Sequence, residues 1–130
     1  MNISTLLSIG FGGALGAILR YLTIELLDQQ NTALPIGTLS VNVIGSFVLG
    51  AILFSPQLHT QLGENTLLFF TIGVLGAYTT LSAFCSETFD LLQKGKNQAA
   101  LFNISLTILL PLIAIWLAYI VSTHLNGGKL

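Results

Sequence analysis

The stretch Gly73-Val-Leu-Gly-Ala-Tyr-Thr-Thr-Leu-Ser-Ala-Phe84 lies inside a long apolar run, yet it holds two glycines, two adjacent threonines and a serine. A simple spanning helix gains nothing from a breaker and a cluster of hydroxyls at its midpoint. Gly73, Gly76 and the Thr79–Thr80 pair are expected to divide the run into two half-helices. Unwound backbone at membrane depth frees carbonyls and amides, and is tolerated only where protein buries it or a cavity meets it. Freed carbonyls suit a cation, and half-helix N-termini suit an anion. The competing reading is a packing kink whose lost backbone bonds are repaired by the threonine hydroxyls.

The rest of the chain is equally apolar. Of its 130 residues, 53% are hydrophobic and 7% are Asp, Glu, Lys or Arg, against roughly 25% charged residues in soluble domains. Mean hydropathy is +0.85. So few charges cannot cover a soluble surface. The chain reads as an integral membrane protein with a single domain over residues 1–130. A net charge of −1 gives no basis for a nucleic-acid partner. The one cysteine, Cys85, cannot form an internal disulfide and leaves the redox compartment open. The opening MNISTLLSIGFGGALGAILRY has no positive n-region followed by a cleavage site, so it reads as a retained helix.

Four segments have the roughly 20 apolar residues that a spanning helix needs: Ser4 to Leu27, Ile36 to Phe54, Thr66 to Leu92 and Ala99 to Thr123. The joints DQQNTALP, SPQLHTQLGEN and QKGKNQ are short and polar. The expected fold is an all-α membrane protein of four transmembrane helices, the third broken at its midpoint. No inverted repeat lies within the chain, so any symmetry must come from a second copy. Lys94, Lys96 and Arg20 on one side nearly balance Lys129 and the α-amino group on the other. So weak a bias permits insertion in both orientations, and hence an antiparallel, dual-topology dimer. Gly12 with Gly16, Gly10 with Gly13 and Ala17, and Ser46 with Gly50 are expected packing seams.

Three spans carry polar stripes. On the second, Thr38, Asn42, Gly45 and Ser46 recur at helical spacing. On the third, Ser82, Cys85, Ser86 and Phe89 share a face. On the fourth, Asn103 and Thr107 share a face, and Pro111 leaves the Thr107 carbonyl without its helical partner. Such uncharged donors either glue helices together or line a path. Three stripes in one small chain favour a path. Arg20 either snorkels to the headgroups or anchors a vestibule that gathers anions. Glu87 and Asp90 are expected at the interface, with Glu87 facing a pore mouth as the other reading. His59 and His124 fall in loop and tail, which argues against a metal site. No paired carboxylates, metal-spaced ligands or phosphate loop occur, so the chain is not expected to be an enzyme.

Taken together, these motifs resemble the Fluc (CrcB) fluoride channel family. GGALGAILRY, from Gly12 to Tyr21, is similar to the family's opening glycine-rich segment. GTLSVNVIGSF, from Gly37 to Phe47, resembles its G-T-L-x-V-N-x-x-G-S-F signature. GAYTTLSAF, from Gly76 to Phe84, resembles G-G-[FY]-T-T-F-S-T-F. The resemblance implies two antiparallel subunits, two pores that pass fluoride passively, and a structural sodium ion on the two-fold axis. Backbone carbonyls matching Gly76 and Thr79 would hold the sodium. Asn42 matches the pore asparagine, Phe84 the second pore phenylalanine, and Arg20 the arginine near the end of the first helix. Thr38, Ser82, Asn103 and Thr107 complete the expected polar lining. The implied location is the plasma membrane, the inner membrane of a bacterium or archaeon, with the lipid bilayer as surroundings.

Three positions depart from the pattern. Leu81 stands where the family has its first phenylalanine, Ala77 where it has a second glycine, and Ala83 where it has a threonine. Aromatic ring edges are electropositive and can meet an anion; leucine has no such edge. Either one aromatic and a polar track suffice, or a paralogous partner supplies the rest in a heterodimer. The rival class is a dual-topology exporter resembling the small multidrug-resistance proteins, which needs a membrane-embedded carboxylate. In the first span only Glu25 is acidic, and it lies near the end.

Overall fold

The computed structural model describes residues 2–28 and 33–125. The centre of the first joint and Lys129 lie outside the described residues. Helix α1 (Ile3–Leu27) starts at Asn2, whose side chain accepts from the Ser4 amide. Asp28 closes α1 and accepts from the Gly37 amide at 2.8 Å, tying the end of α1 to the start of α2 (Ile36–Leu53). A short α3 (Pro56–Gln61) begins at Ser55, with proline at the first turn, where its missing N–H costs nothing. The third span comprises α4 (Glu64–Leu68), a π-helical stretch (Phe69–Leu75), α5 (Gly76–Tyr78) and α6 (Leu81–Gln93). Helix α7 (Asn97–Leu125) continues through Pro111.

Four helical segments are long and apolar enough to cross a membrane: Ile3–Leu27, Ile36–Leu53, Glu64–Gln93 and Asn97–Leu125. The chain is a multi-pass membrane protein. Large apolar side chains such as Phe11, Leu101 and Trp116 point outward, as expected where lipid replaces water. The interior is lined by small and polar residues instead, among them Gly12, Thr38, Asn42 and Asn103. This is the membrane pattern, in which association depends on close backbone approach rather than on a hydrophobic core.

The most extensive packings join α2 to α7 and α1 to the π-helical stretch. At the second, backbone meets backbone. A Cβ on Gly12 would lie 2.5 Å from the Phe69 carbonyl oxygen, and one on Gly73 would lie 2.8 Å from that of Ile9. A Cβ on Gly16 would overlap the Val74 carbonyl. The Gly12/Gly16 seam is therefore real, whereas Gly10 and Gly13 face open space within the single chain. Gly50 packs on Ala118 across the α2–α7 contact.

The break itself sits later than the glycines imply. Gly73 lies within the π-helical stretch and Gly76 is helical, with φ −63°. The chain becomes extended at Thr79 (φ −79°, ψ 156°) and Thr80 (φ −153°, ψ 125°). Gly73 is thus a packing residue and does not interrupt the helix. Among the described residues only Gly95 has a positive φ, at 70° in the turn before α7. Ala77, helical in α5, meets no conformational obstacle.

Candidate functional site

The break is held from across the molecule by α2. Asn42 Nδ2 donates to the Thr80 carbonyl at 3.0 Å, and the Thr80 amide donates to Asn42 Oδ1 at 2.8 Å. The carboxamide thereby imitates one rung of a β-ladder, which an extended residue can accept and a helical one cannot. One turn further along α2, Gly45 leaves room for the Thr79 side chain. The Thr79 amide and hydroxyl both donate to the Leu75 carbonyl at 3.0 Å, which closes α5. Thr80 then caps α6: its Oγ1 accepts from the Ala83 amide at 3.2 Å. Its hydroxyl also pairs with that of Ser82 at 3.2 Å, where either can donate.

An open cleft of about 440 Å³ lies beside this break. Gly76, Thr79, Asn42 and Thr107 line it, together with Leu81 and Pro111. The structure thus brings four of the nine expected sodium, pore and vestibule residues to one place. Thr38, Ser82, Phe84 and Asn103 do not line this cleft. Thr38 instead donates to Glu87 Oε1 at 2.5 Å, one turn from Asn42 along the same face of α2. The other Glu87 oxygen is buried without a hydrogen-bond partner among the described residues.

Asn103 and Thr107 belong to a row of hydrogen bonds running from α7 to α6. Thr107 Oγ1 approaches Asn103 Oδ1 at 3.5 Å, Asn103 Nδ2 donates to Thr88 Oγ1 at 2.9 Å, and Thr88 Oγ1 donates to the Phe84 carbonyl at 2.7 Å. Thr88 was not anticipated, although it lies one turn beyond Phe84 on α6. Asn65 was also missed. Its side chain accepts from Thr5 at 2.7 Å and donates to Ser4 at 3.1 Å, and Ser8 donates to its carbonyl at 3.0 Å. Ser4, Thr5 and Ser8 lie within about one turn of α1, which was the available signal.

The outer face of α6 is mixed. Leu81, Ser82, Cys85, Ser86 and Phe89 are exposed in the single chain. Leu81 is 72% exposed, so the position where the family pattern has its first phenylalanine projects away from the helices of its own chain. Arg20 is half-buried on α1 and does not line the cleft. A smaller cleft of about 250 Å³ at the joint between α6 and α7 brings Asp28, Glu87 and Asp90 near Lys94 and Lys96. Within it, Lys94 and Asp90 form an exposed i,i+4 ion pair at 2.6 Å, a geometry of small energetic weight.

Comparison with known proteins places this arrangement. The family model described as CrcB-like protein, Camphor Resistance (CrcB), matches residues 7–119. A fluoride-specific ion channel FluC 3 of Methanosarcina barkeri is 40% identical over 128 residues, covering 95% of this chain and 97% of the relative. A fluoride-specific ion channel FluC of Methylobacterium radiotolerans is 37% identical over 130 residues, covering 98% and 91%. One from Campylobacter jejuni is 42% identical over 120 residues, covering 92% and 98%. The matches run through all four spans and the broken third helix, and the chain belongs to the CrcB family of membrane proteins, which are not enzymes.

Proposed function

We propose that the chain is a fluoride-specific ion channel of the plasma membrane, working as an antiparallel dimer with two pores. The names of its relatives support the ion. The observation that carries the reading is the backbone at the break. In a continuous helix, the amides of Thr80 and Ala83 would bond to the carbonyls of Gly76 and Thr79. Here those amides go to Asn42 Oδ1 and Thr80 Oγ1. The carbonyls from Gly76 to Thr79 are left without helical partners at membrane depth, where an unsatisfied polar group costs several kcal/mol. Of these residues, Gly76 and Thr79 line the open cleft.

The donor set fits a sodium ion: neutral carbonyl oxygens, doubled by a second copy across an axis. When bound, the ion would satisfy these carbonyls and add positive potential in a low-dielectric setting, where it reaches further. The second copy has a place to dock. The exposed α6 face carries Ser82, Cys85 and Ser86 at a depth where lipid offers hydroxyls no partner.

Fluoride is small and strongly hydrated, so its lost water must be replaced by donors. The second Nδ2 hydrogen of Asn42 and the hydroxyls of Ser82 and Thr107 can supply them, as can the Asn103 amide, whereas Thr38 can do so only by releasing Glu87. None of these carries a positive charge that would trap the ion. Binding must be favourable enough for entry yet weak enough for exit. Phe84 contributes a single aromatic edge, and Arg20 supplies positive charge toward a vestibule. The deciding experiment is fluoride efflux from liposomes holding only this chain, with chloride as control. Fluoride release without chloride release supports the channel. No release from folded, reconstituted protein overturns the homodimeric reading, and recovery with a paralogous subunit would establish a heterodimer.

A further inference from the structure

We infer that the side chains of Asn42 and Thr80 hold the third helix open and keep the Gly76 and Thr79 carbonyls free. Asn42 is thus a positioning residue for the cation-facing backbone as well as part of the cleft wall. The inference deepens the proposed function and rests on it for the identity of the cation.

Glycine does not make this break. Gly76 is helical, and neither Thr79 nor Thr80 has a positive φ. What distinguishes the break is that two amides have been captured by side chains. The Thr80 amide is taken by Asn42, 38 residues away in sequence, and the Ala83 amide by Thr80's own hydroxyl. Among the carbonyls left behind, those of Gly76 and Thr79 belong to residues that line the cleft. Asn42 Nδ2 also binds the Thr80 carbonyl, so the Thr80 peptide groups are fixed on both sides and the Thr80 backbone cannot rotate back into a helix. Asn42 is 9% exposed and Thr80 is 9% exposed, so water does not compete for these bonds.

A consequence for the anion follows. Asn42 has one acceptor oxygen and two donor hydrogens. Thr80 uses the oxygen and one hydrogen, leaving one hydrogen for an ion in the cleft. A change at Asn42 should therefore disturb the break in the complete absence of fluoride. A residue that only touches the anion would not do this.

Thr79–Thr80 is the only Thr–Thr pair in the sequence. Protein labelled with carbonyl-13C and 15N threonine therefore gives a single through-bond signal joining the Thr79 carbonyl to the Thr80 amide. The signal is recorded in fluoride-free buffer, with sodium or potassium, for the wild type, Asn42→Leu and Asn42→Ala. In the wild type the carbonyl shift should respond to sodium and not to potassium. In Asn42→Leu the Thr80 amide should move and the sodium response of the carbonyl should disappear. Asn42→Ala removes the acceptor in the same way and provides the same reading if the leucine variant fails to fold.

An amide signal that stays in place in both folded variants overturns the inference. If the wild-type carbonyl ignores sodium, the cation reading fails, and the positioning role then stands or falls on the amide signal alone. Independently, the sodium concentration for half-maximal thermal stabilisation should rise about tenfold in Thr80→Val, consistent with loss of one buried hydrogen bond. Thr80→Ser keeps the acceptor oxygen and should restore it. Equal sodium dependence in Thr80→Val and wild type, where wild type is stabilised by sodium, also overturns the inference.

Discussion

Gly45 lies directly against Thr79: a Cβ built on Gly45 would overlap Thr79 Cγ2 and stand 3.3 Å from Tyr78 Cδ1. The threonine methyl sits on a short, stiff side chain in a fixed backbone, so it cannot swing clear. Gly45→Ala should therefore push the break off α2. The expected cost is about 1–3 kcal/mol of stability, as for other overpacked sites, with a marked loss of fluoride flux. Thr79→Ser removes the methyl and keeps the hydroxyl, so the double variant Gly45→Ala/Thr79→Ser should recover much of both. Thermal melting and liposome flux on the three proteins test this. Wild-type behaviour of Gly45→Ala alone would sink it.

Gly16 and Gly13 make a paired control on α1. A Cβ at Gly16 overlaps the Val74 backbone, while one at Gly13 meets nothing within 4 Å in the single chain. Backbone atoms cannot step aside as a flexible side chain can. Gly16→Ala should lower stability by about 1–3 kcal/mol or more. Gly13→Ala should be neutral or gain up to about 1 kcal/mol from better helix propensity. The check is thermal melting of both variants in the same detergent. Equal effects would show that α1 does not seat on the π-helical stretch.

The spans were legible because each is a long apolar run closed by polar joints, and the predicted limits fall within a few residues of the observed ones. The existence of a break was legible too, from Thr79–Thr80 inside an apolar run. Its position was not. Gly73 and Gly76 look like breakers, but Gly73 serves the contact with Gly12 and Gly76 stays helical. The bond that fixes the extended residue comes from Asn42, and local sequence cannot report a partner so far away. The π-helical stretch has no signal in the local sequence either; it is where Gly73 seats against α1. Asn42 and Thr107 meet at the cleft because α2 packs on α7. The stripes gave each residue's face, whereas the pairing of faces depended on small-residue seams of near-equal merit.

Thr38 and Glu87 should be energetically coupled. Thr38 is 1% exposed and donates to a carboxylate oxygen of Glu87. Leaving a buried acceptor without its donor costs roughly 1–3 kcal/mol. Thr38→Val should destabilise by about that amount, because it leaves the carboxyl group without this donor. Once Glu87→Ala is present, Thr38→Val should cost much less. A double-mutant cycle on thermal or denaturant unfolding measures the difference. Additivity within about 0.5 kcal/mol would mean the pair is not coupled.

Orientation can be manipulated because so few charges set it. Two lysines inserted between Asp28 and Pro35 should drive all copies into one orientation. If antiparallel pairing is required, fluoride efflux should then fall in cells and in vesicles. Co-expression with a copy biased the other way, by lysines in the joint between α2 and the third span, should restore it. Reporter fusions at the C-terminus would establish orientation independently of activity. Full flux from a population shown to be one-way would rule out the antiparallel dimer.

Alkali-cation dependence tests the freed carbonyls directly. Two copies meeting on an axis would bring at least four carbonyl oxygens together, from Gly76 and Thr79 of each. Without an ion these dipoles repel each other and remain unpaired in a medium that offers no water. Sodium should therefore raise the melting temperature of the dimer. Lithium and potassium should do so poorly, because a cage of fixed carbonyls suits one ionic radius best. Replacing sodium on both sides of the membrane should slow or stop fluoride flux. Gly76→Ala separates the carbonyl from the side chain: Gly76 is helical, and an added Cβ comes no closer than 3.8 Å to the Thr71 carbonyl oxygen. That variant should fold, conduct and respond to sodium like the wild type, since the ligand is the backbone oxygen. Thermal stability and flux measured across lithium, sodium and potassium give the answer. Indifference of both to the choice of cation would reduce the break at Thr79–Thr80 to a packing feature.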